Sequence, residues 1–229
     1  NEVEFARYVA FINENPMWPS IGLLKRRAEA SLWQERLDPA TVRNYFGKSR
    51  PLSAKGKFAL ARALLLQGDR AGATALVRDA WRNDNFSSEL EGQVLDVFGD
   101  LVSAADHKAR MDMLLYRDRA DQAQRFGELG TAQSLYRAWA AVIRKSKTAG
   151  DLIKAVDARW QKDPAYTYLR IRHLRNKEEY RAAGKLFAAM PDDPARLVNP
   201  GACWNEQRIF SRGLAGLGDY RGAYRVDAH

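Results

Sequence analysis

A six-residue turn signature recurs in this chain. Gly68-Asp69-Arg70-Ala71-Gly72-Ala73 returns as Gly218-Asp219-Tyr220-Arg221-Gly222-Ala223, with a weaker echo at Glu178-Glu179-Tyr180-Arg181-Ala182-Ala183. In each full copy a glycine, able to adopt the left-handed conformation that ends a helix, precedes an aspartate suited to cap the next one. Small residues follow where a neighbouring helix can approach closely. The signature predicts stacked helical hairpins. Copies begin at residues 68, 178 and 218, intervals that are not multiples of the tetratricopeptide unit of about 34 residues. The expected fold is therefore all-α: an irregular, tetratricopeptide-like superhelix (α-solenoid) of antiparallel helical hairpins, forming a single domain over residues 1–229. With the second full copy so near His229, that domain is expected to be truncated at its C-terminal end.

Helix signals fill most of the chain, and sustained strand alternation is absent. A first helix is predicted from Glu2 to Asn13 with Phe5, Val9 and Ile12 on one stripe. The Pro-rich Asn15-Pro16-Met17-Trp18-Pro19-Ser20 breaks it, and Ser20 is the expected N-cap of a second helix carrying Leu24, Ala28 and Leu32. Asp38-Pro39, Asp163-Pro164 and Asp193-Pro194 each pair a capping acceptor with a proline whose φ suits the first helical position. Gly47, Gly68 and Gly130 mark helix stops. Between Phe58 and Leu66, a stripe of Phe58, Ala61 and Leu65, widened by Ala59, Ala63 and Leu66, is the expected packing face.

A chain of 229 residues with 46% hydrophobic content can bury its own core. The lone Cys203 excludes an internal disulfide framework and a Cys-rich zinc site, while leaving the redox compartment open. No apolar run approaches the roughly 18 residues of a membrane span, so no transmembrane segment is expected, and the N-terminus lacks the order of a signal peptide. The formal charge of +9 favours acidic partners, but it is diffuse. Lys25-Arg26-Arg27 and Arg170-Ile171-Arg172-His173-Leu174-Arg175 read as solvated helix faces. The tryptophans Trp18, Trp33, Trp81, Trp139, Trp160 and Trp204 read as core, the alternative being platforms that stack sugars or bases.

No catalytic constellation is present. His107, His173 and His229 are widely separated and match no metal-ligand spacing. In Asp106-His107-Lys108-Ala109-Arg110-Met111-Asp112, Asp106 and Arg110 are four apart and expected to pair, while Asp112 faces away from His107. Carboxylate neighbours such as Glu89 with Glu91 and Glu178 with Glu179 read as solvated. Nucleophile elbows, phosphate-binding loops and dinucleotide motifs are missing. No catalytic, cofactor-binding or metal-binding residue is nominated.

Taken in order, Asn15-Pro16-Met17-Trp18-Pro19, Gly68-Asp69, the segment Asp106 to Leu115, Leu197-Val198-Asn199-Pro200 and Trp204-Asn205-Glu206-Gln207-Arg208 resemble the helical N-terminal region of soluble lytic murein transglycosylases. The resemblance covers essentially the whole chain. It implies a periplasmic protein whose α-superhelix precedes a lysozyme-like domain that cleaves the glycan strands of peptidoglycan to 1,6-anhydro products. The Glu-Ser pair that carries catalysis in that family occurs nowhere in this sequence, so the segment alone is expected to be inactive and to shape access to glycan strands or bind partners. Two other classes stand beside this reading. One is a tetratricopeptide-like scaffold holding protein partners on its concave face. The other is a basic nucleic-acid binder, ranked last because the basic residues follow no regular repeat position.

Overall fold

The computed structural model describes residues 2–190, 193 and 197–227. Among them the secondary structure is entirely helical. The chain separates into two compact units, residues 1–106 and 107–229.

The first unit holds α1 (Glu2–Glu14), α2 (Ile21–Glu35), α3 (Pro39–Phe46), α4 (Ala54–Leu66), α5 (Arg70–Asn83) and α6 (Ser88–Phe98). Its core is an aromatic cluster. Trp33, Phe58 and Phe98 face one another at 5.9 to 6.2 Å between ring centroids, and Phe86 bridges Phe58 to Trp81. Phe58, Ala59, Ala61 and Ala63 of α4 are buried as their spacing predicts, but Leu66 is 70% exposed. Leu64 takes the inward place, because Leu66 is the last residue of its helix.

The second unit holds α7 (Ala104–Leu115), α8 (Ala120–Leu129), α9 (Gln133–Ile143), α10 (Ala149–Lys154), α11 (Pro164–Asn176), α12 (Gly184–Phe187), α13 (Pro200–Gly216) and α14 (Tyr220–Asp227), with α7 assigned here by most of its length. Two apolar centres hold it. In one, Tyr116, Trp139 and Tyr168 meet at 4.4 to 5.7 Å. In the other, Ile171, Ala183, Phe187, Phe210, Leu214 and Val226 join α11, α12, α13 and α14.

Helix ends explain the hairpins. Among the described residues six turns close with the same bond, from a backbone N–H to the carbonyl five residues earlier: Asp69 to Leu64, Arg119 to Leu114, Ala132 to Gly127, Ser146 to Ala141, Glu179 to Leu174 and Asp219 to Leu214, all at 2.8 to 3.0 Å. The residue before each donor has positive φ: Gly68, Asp118, Thr131, Lys145, Glu178 and Gly218. This is the Schellman geometry, which satisfies carbonyls left over at a helix end. Four of the six place a non-glycine residue in the left-handed region, so only the two glycine copies and the Glu178 echo are conspicuous in the sequence. The second glycine of each full copy has a different task. The Gly72 and Gly222 N–H groups donate to Asp69 and Asp219 at 2.8 Å, and a Cβ on either glycine would lie 2.5 Å from that carboxylate. Four residues beyond the turn aspartate, Ala73 and Ala223 are buried, as are Ala123 and Ala183 at the equivalent places.

Several local expectations change. Ser20 has φ 68° and its hydroxyl caps nothing, so α2 starts without a side-chain cap. Asp38 and Asp163 cap their helices through Thr41 N and Ala165 N, and Asn199-Pro200 is a further start of the same chemistry, capping Ala202 N. The start at Asp193-Pro194 lies outside the described residues. Gly130 is not left-handed; Thr131 is. Glycine is needed at 130 because a Cβ would lie 2.7 Å from the Lys108 backbone nitrogen.

Candidate functional site

Among the buried charged side chains of the described residues, three clusters tie helices together. In the first unit Asp106 is fully buried. It accepts from the Ser103 N–H and hydroxyl, both at 2.7 Å, from Arg82, and from Arg78 at 3.2 Å. Burial alone would raise this carboxyl, but the Ser103 bonds and the Arg82 charge outweigh it and hold it below the usual range. The Asp106 N–H in turn meets Ser103 Oγ at 3.4 Å, a capping box at the start of α7. The expectation of a pair with Arg110 along the helix thus missed the long-range partners Arg78 and Arg82 on α5. Also in the first unit, buried Glu29 of α2 accepts from Leu52 N at 2.7 Å and from the Ser53 hydroxyl, fixing the start of α4.

In the second unit Lys108 Nζ reaches both Asp112 (2.5 Å) and Asp163 (2.6 Å) and lies 5.3 Å from the Trp160 ring centroid. Burial pushes Asp112 up to about 7 against the pull of Lys108. The neighbouring His107 ring stacks on Phe126 at 6.0 Å. The third place is Glu206 of α13, buried, with Arg175 at 2.8 Å and Arg172 at 3.6 Å. Burial raises Glu206, and Arg175 and Arg172 oppose the rise. Arg172 also reaches Asp118 at 3.0 Å. The basic run at 170–175 is therefore not a solvated face: Arg172 and Arg175 are structural cations, whereas Lys25, Arg26 and Arg27 are exposed as expected. Asp106 is fully buried, and Asp112 and Glu206 are each 2% exposed. Arg82, Asp163 reached through Lys108, and Arg175 lie on other elements, so these clusters hold helices together.

Open surface lies elsewhere. Four tryptophans are buried or half-buried, but Trp18 and Trp204 are 51% and 58% exposed, against the expectation of core. Trp18 meets Phe11 edge-on at 5.3 Å, and Arg208 lies 4.6 Å from the Trp204 ring. A cleft of about 290 Å³ in the first unit is lined by Trp33, Arg62 and Gln93 among others. Its guanidinium is already engaged: Arg62 donates to the Leu32 and Trp33 carbonyls at the end of α2 and stacks on Trp33 at 4.9 Å. A larger groove of about 560 Å³ in the second unit runs between the 181–188 segment and α14. Arg181, Lys185 and Arg225 line it, above Leu214 and Val226.

Among the described residues no group of three or more His, Cys, Asp or Glu side chains is placed to hold a metal ion, and no helix is long and apolar enough to cross a membrane. The arrangement can bind; its open surfaces offer indole faces and cations. No family model, curated protein or solved structure matches the chain. The surfaces themselves therefore carry the functional reading. The exposed tryptophans were named in the sequence without a means of separating them from the buried four. The groove cations were not singled out, since residues 181, 185 and 225 come together only through packing of α12 against α14.

Proposed function

We propose that this chain is a non-catalytic helical-hairpin domain, arranged as an irregular superhelix, that binds peptidoglycan on behalf of a periplasmic lytic transglycosylase. One observation carries the reading. Two segments on which the family resemblance rests, Asn15 to Pro19 and Trp204 to Arg208, are also the two that present a tryptophan to solvent. An exposed indole face stacks on the apolar face of a sugar ring, and a charge of +9 draws a carboxylate-bearing polymer through a field that salt screens.

Sedimentation of the purified protein with isolated sacculi tests this. Pelleting is expected at low salt, reduced at high salt, and weaker in a Trp18→Ala/Trp204→Ala variant, with no release of anhydro-sugar products. Absence of pelleting at low salt overturns the proposal. A stoichiometric protein complex without saccharide binding would mark a tetratricopeptide-like scaffold instead.

A further inference from the structure

We infer that the groove between the 181–188 segment and α14 is a receptor for the carboxylates of a short peptide, in this setting the peptide arms of peptidoglycan. The inference rests on the reading of the chain as a peptidoglycan-binding domain.

Three features of the groove select that ligand. The first is uncompensated charge. Arg181, Lys185 and Arg225 line one opening, and among the described residues none of the three forms an ion pair. Arg181 makes only a long contact to the Leu217 carbonyl at 3.4 Å. The acid in the same lining, Asp219, accepts the Gly222 N–H at 2.8 Å and closes the start of α14, so it is engaged in capping. Three cations against one capping carboxylate leave the groove net positive, a charge that an entering anion offsets.

The second feature is the floor. Leu214 and Val226 belong to the apolar cluster formed with Phe187 and Phe210, which gives the groove a packed base. Gly184 has no side chain, and open space lies beside it, which leaves depth. An apolar base with a cationic rim matches a chain that alternates small aliphatic side chains with carboxylates. A nucleic acid needs a track of cations along a backbone, whereas Arg181, Lys185 and Arg225 line a single groove. The third feature is size. About 560 Å³ exceeds what a lone carboxylate occupies and accommodates a few peptide residues.

The decisive control holds net charge constant. The variant Arg181→Ala/Lys185→Ala/Arg225→Ala and the variant Lys25→Ala/Arg26→Ala/Arg27→Ala each remove three of the positive charges that make up the +9 balance. Diffuse attraction to sacculi falls equally in both, so any difference belongs to the groove. Each protein is pelleted with sacculi and titrated, by fluorescence anisotropy, against a labelled Ala-Glu-Ala-Ala peptide with a free C-terminal carboxylate. The groove variant is expected to bind the peptide about ten-fold more weakly than wild type, while the Lys25 to Arg27 variant stays near wild type. Sacculus pelleting should follow the same order. Lys185→Glu, a single exposed change, repeats the test should the triple variant fail to fold.

Equal losses in the two triple variants, or no peptide binding by wild type, overturn the groove assignment while leaving sacculus binding intact as a separate result. Groove-dependent peptide binding without sacculus pelleting overturns the peptidoglycan reading instead. Tighter, groove-dependent binding of a single-stranded oligonucleotide than of the peptide overturns the ligand class.

Discussion

Lys108 Nζ lies 2.5 Å from Asp112 Oδ2, one turn along α7, and the same ammonium lies 2.6 Å from the Asp163 carboxylate at the start of α11. One cation thus serves two acids, of which Asp163 is the more exposed. Asp163 is also held by the Ala165 N–H, whereas Asp112 Oδ1 is buried with no hydrogen-bond partner. The buried acid is the one that keeps its proton, because desolvation penalises its charged form most.

A pH dependence follows. The Asp112 carboxyl is pushed up to about 7 in the folded protein, above the 3.8 of an unperturbed aspartate. Between those values the folded state binds more protons than the unfolded one, so this group's contribution to stability is present at low pH and lost as pH rises to 7. Asp112→Asn removes the titration. From pH 5 to pH 8 the variant should gain on wild type by on the order of 2 kcal/mol in urea unfolding. Parallel behaviour of the two proteins would show Asp112 to be ionised throughout.

Asp106 behaves in the opposite sense. Its folded carboxyl is held below the usual range, so its stabilisation is present at neutral pH and lost as pH falls below about 4. Asp106→Ala leaves Arg78 and Arg82 without their shared acceptor and the Ser103 N–H without its cap. A loss of roughly 2–3 kcal/mol is expected at pH 7, moderated because both arginines are nearly half exposed. The difference from wild type should narrow as pH is lowered past 3.8 to pH 3. Denaturant titration at the two pH values measures both.

Two glycines of α13 should respond with opposite sign to the same substitution. A Cβ at Gly213 would lie 2.6 Å from the Tyr180 ring, whereas nothing lies within 4 Å of one at Gly216. Gly213→Ala is expected to destabilise by about 1–3 kcal/mol through overpacking. Gly216→Ala should be neutral or stabilise by up to about 1 kcal/mol. Thermal melts of both variants provide the comparison.

Cys203 is 4% exposed, and burial pushes its thiol up to about 11. Little thiolate exists at neutral pH, so iodoacetamide should label the native protein slowly. Labelling should become fast across the unfolding transition, which makes Cys203 a built-in reporter for the second unit. Rapid alkylation of the native protein would contradict the packing around α13.

Much of the fold was legible because helix ends are local chemistry. Asp38-Pro39 and Asp163-Pro164 announce their helices through a cap and a preset φ, and both do so in the structure. Gly68 and Gly218 announce turns for the same reason. The turns at Asp118, Thr131 and Lys145 were silent, because there a non-glycine residue takes the left-handed conformation and the turn closes through backbone hydrogen bonds. The capping box Ser103-x-x-Asp106 was present to be read, as was the start at Asn199-Pro200.

The candidate site was less accessible. Trp18 and Trp204 look like the other tryptophans in composition and spacing, and only their surroundings leave them open. Likewise Arg172 and Arg225 each sit in a run of basic and apolar residues, yet one pairs with buried Glu206 and the other lines a groove. The sequence by itself determined that this chain is helical, where three of the six like turns fall, and that its charge is positive, since capping, backbone sterics and ionisation act within a few residues. Which cations are committed to carboxylates and which remain for a ligand was decided by tertiary structure alone. Charge pairing depends on distances of a few ångströms between helices, and helical periodicity does not encode them.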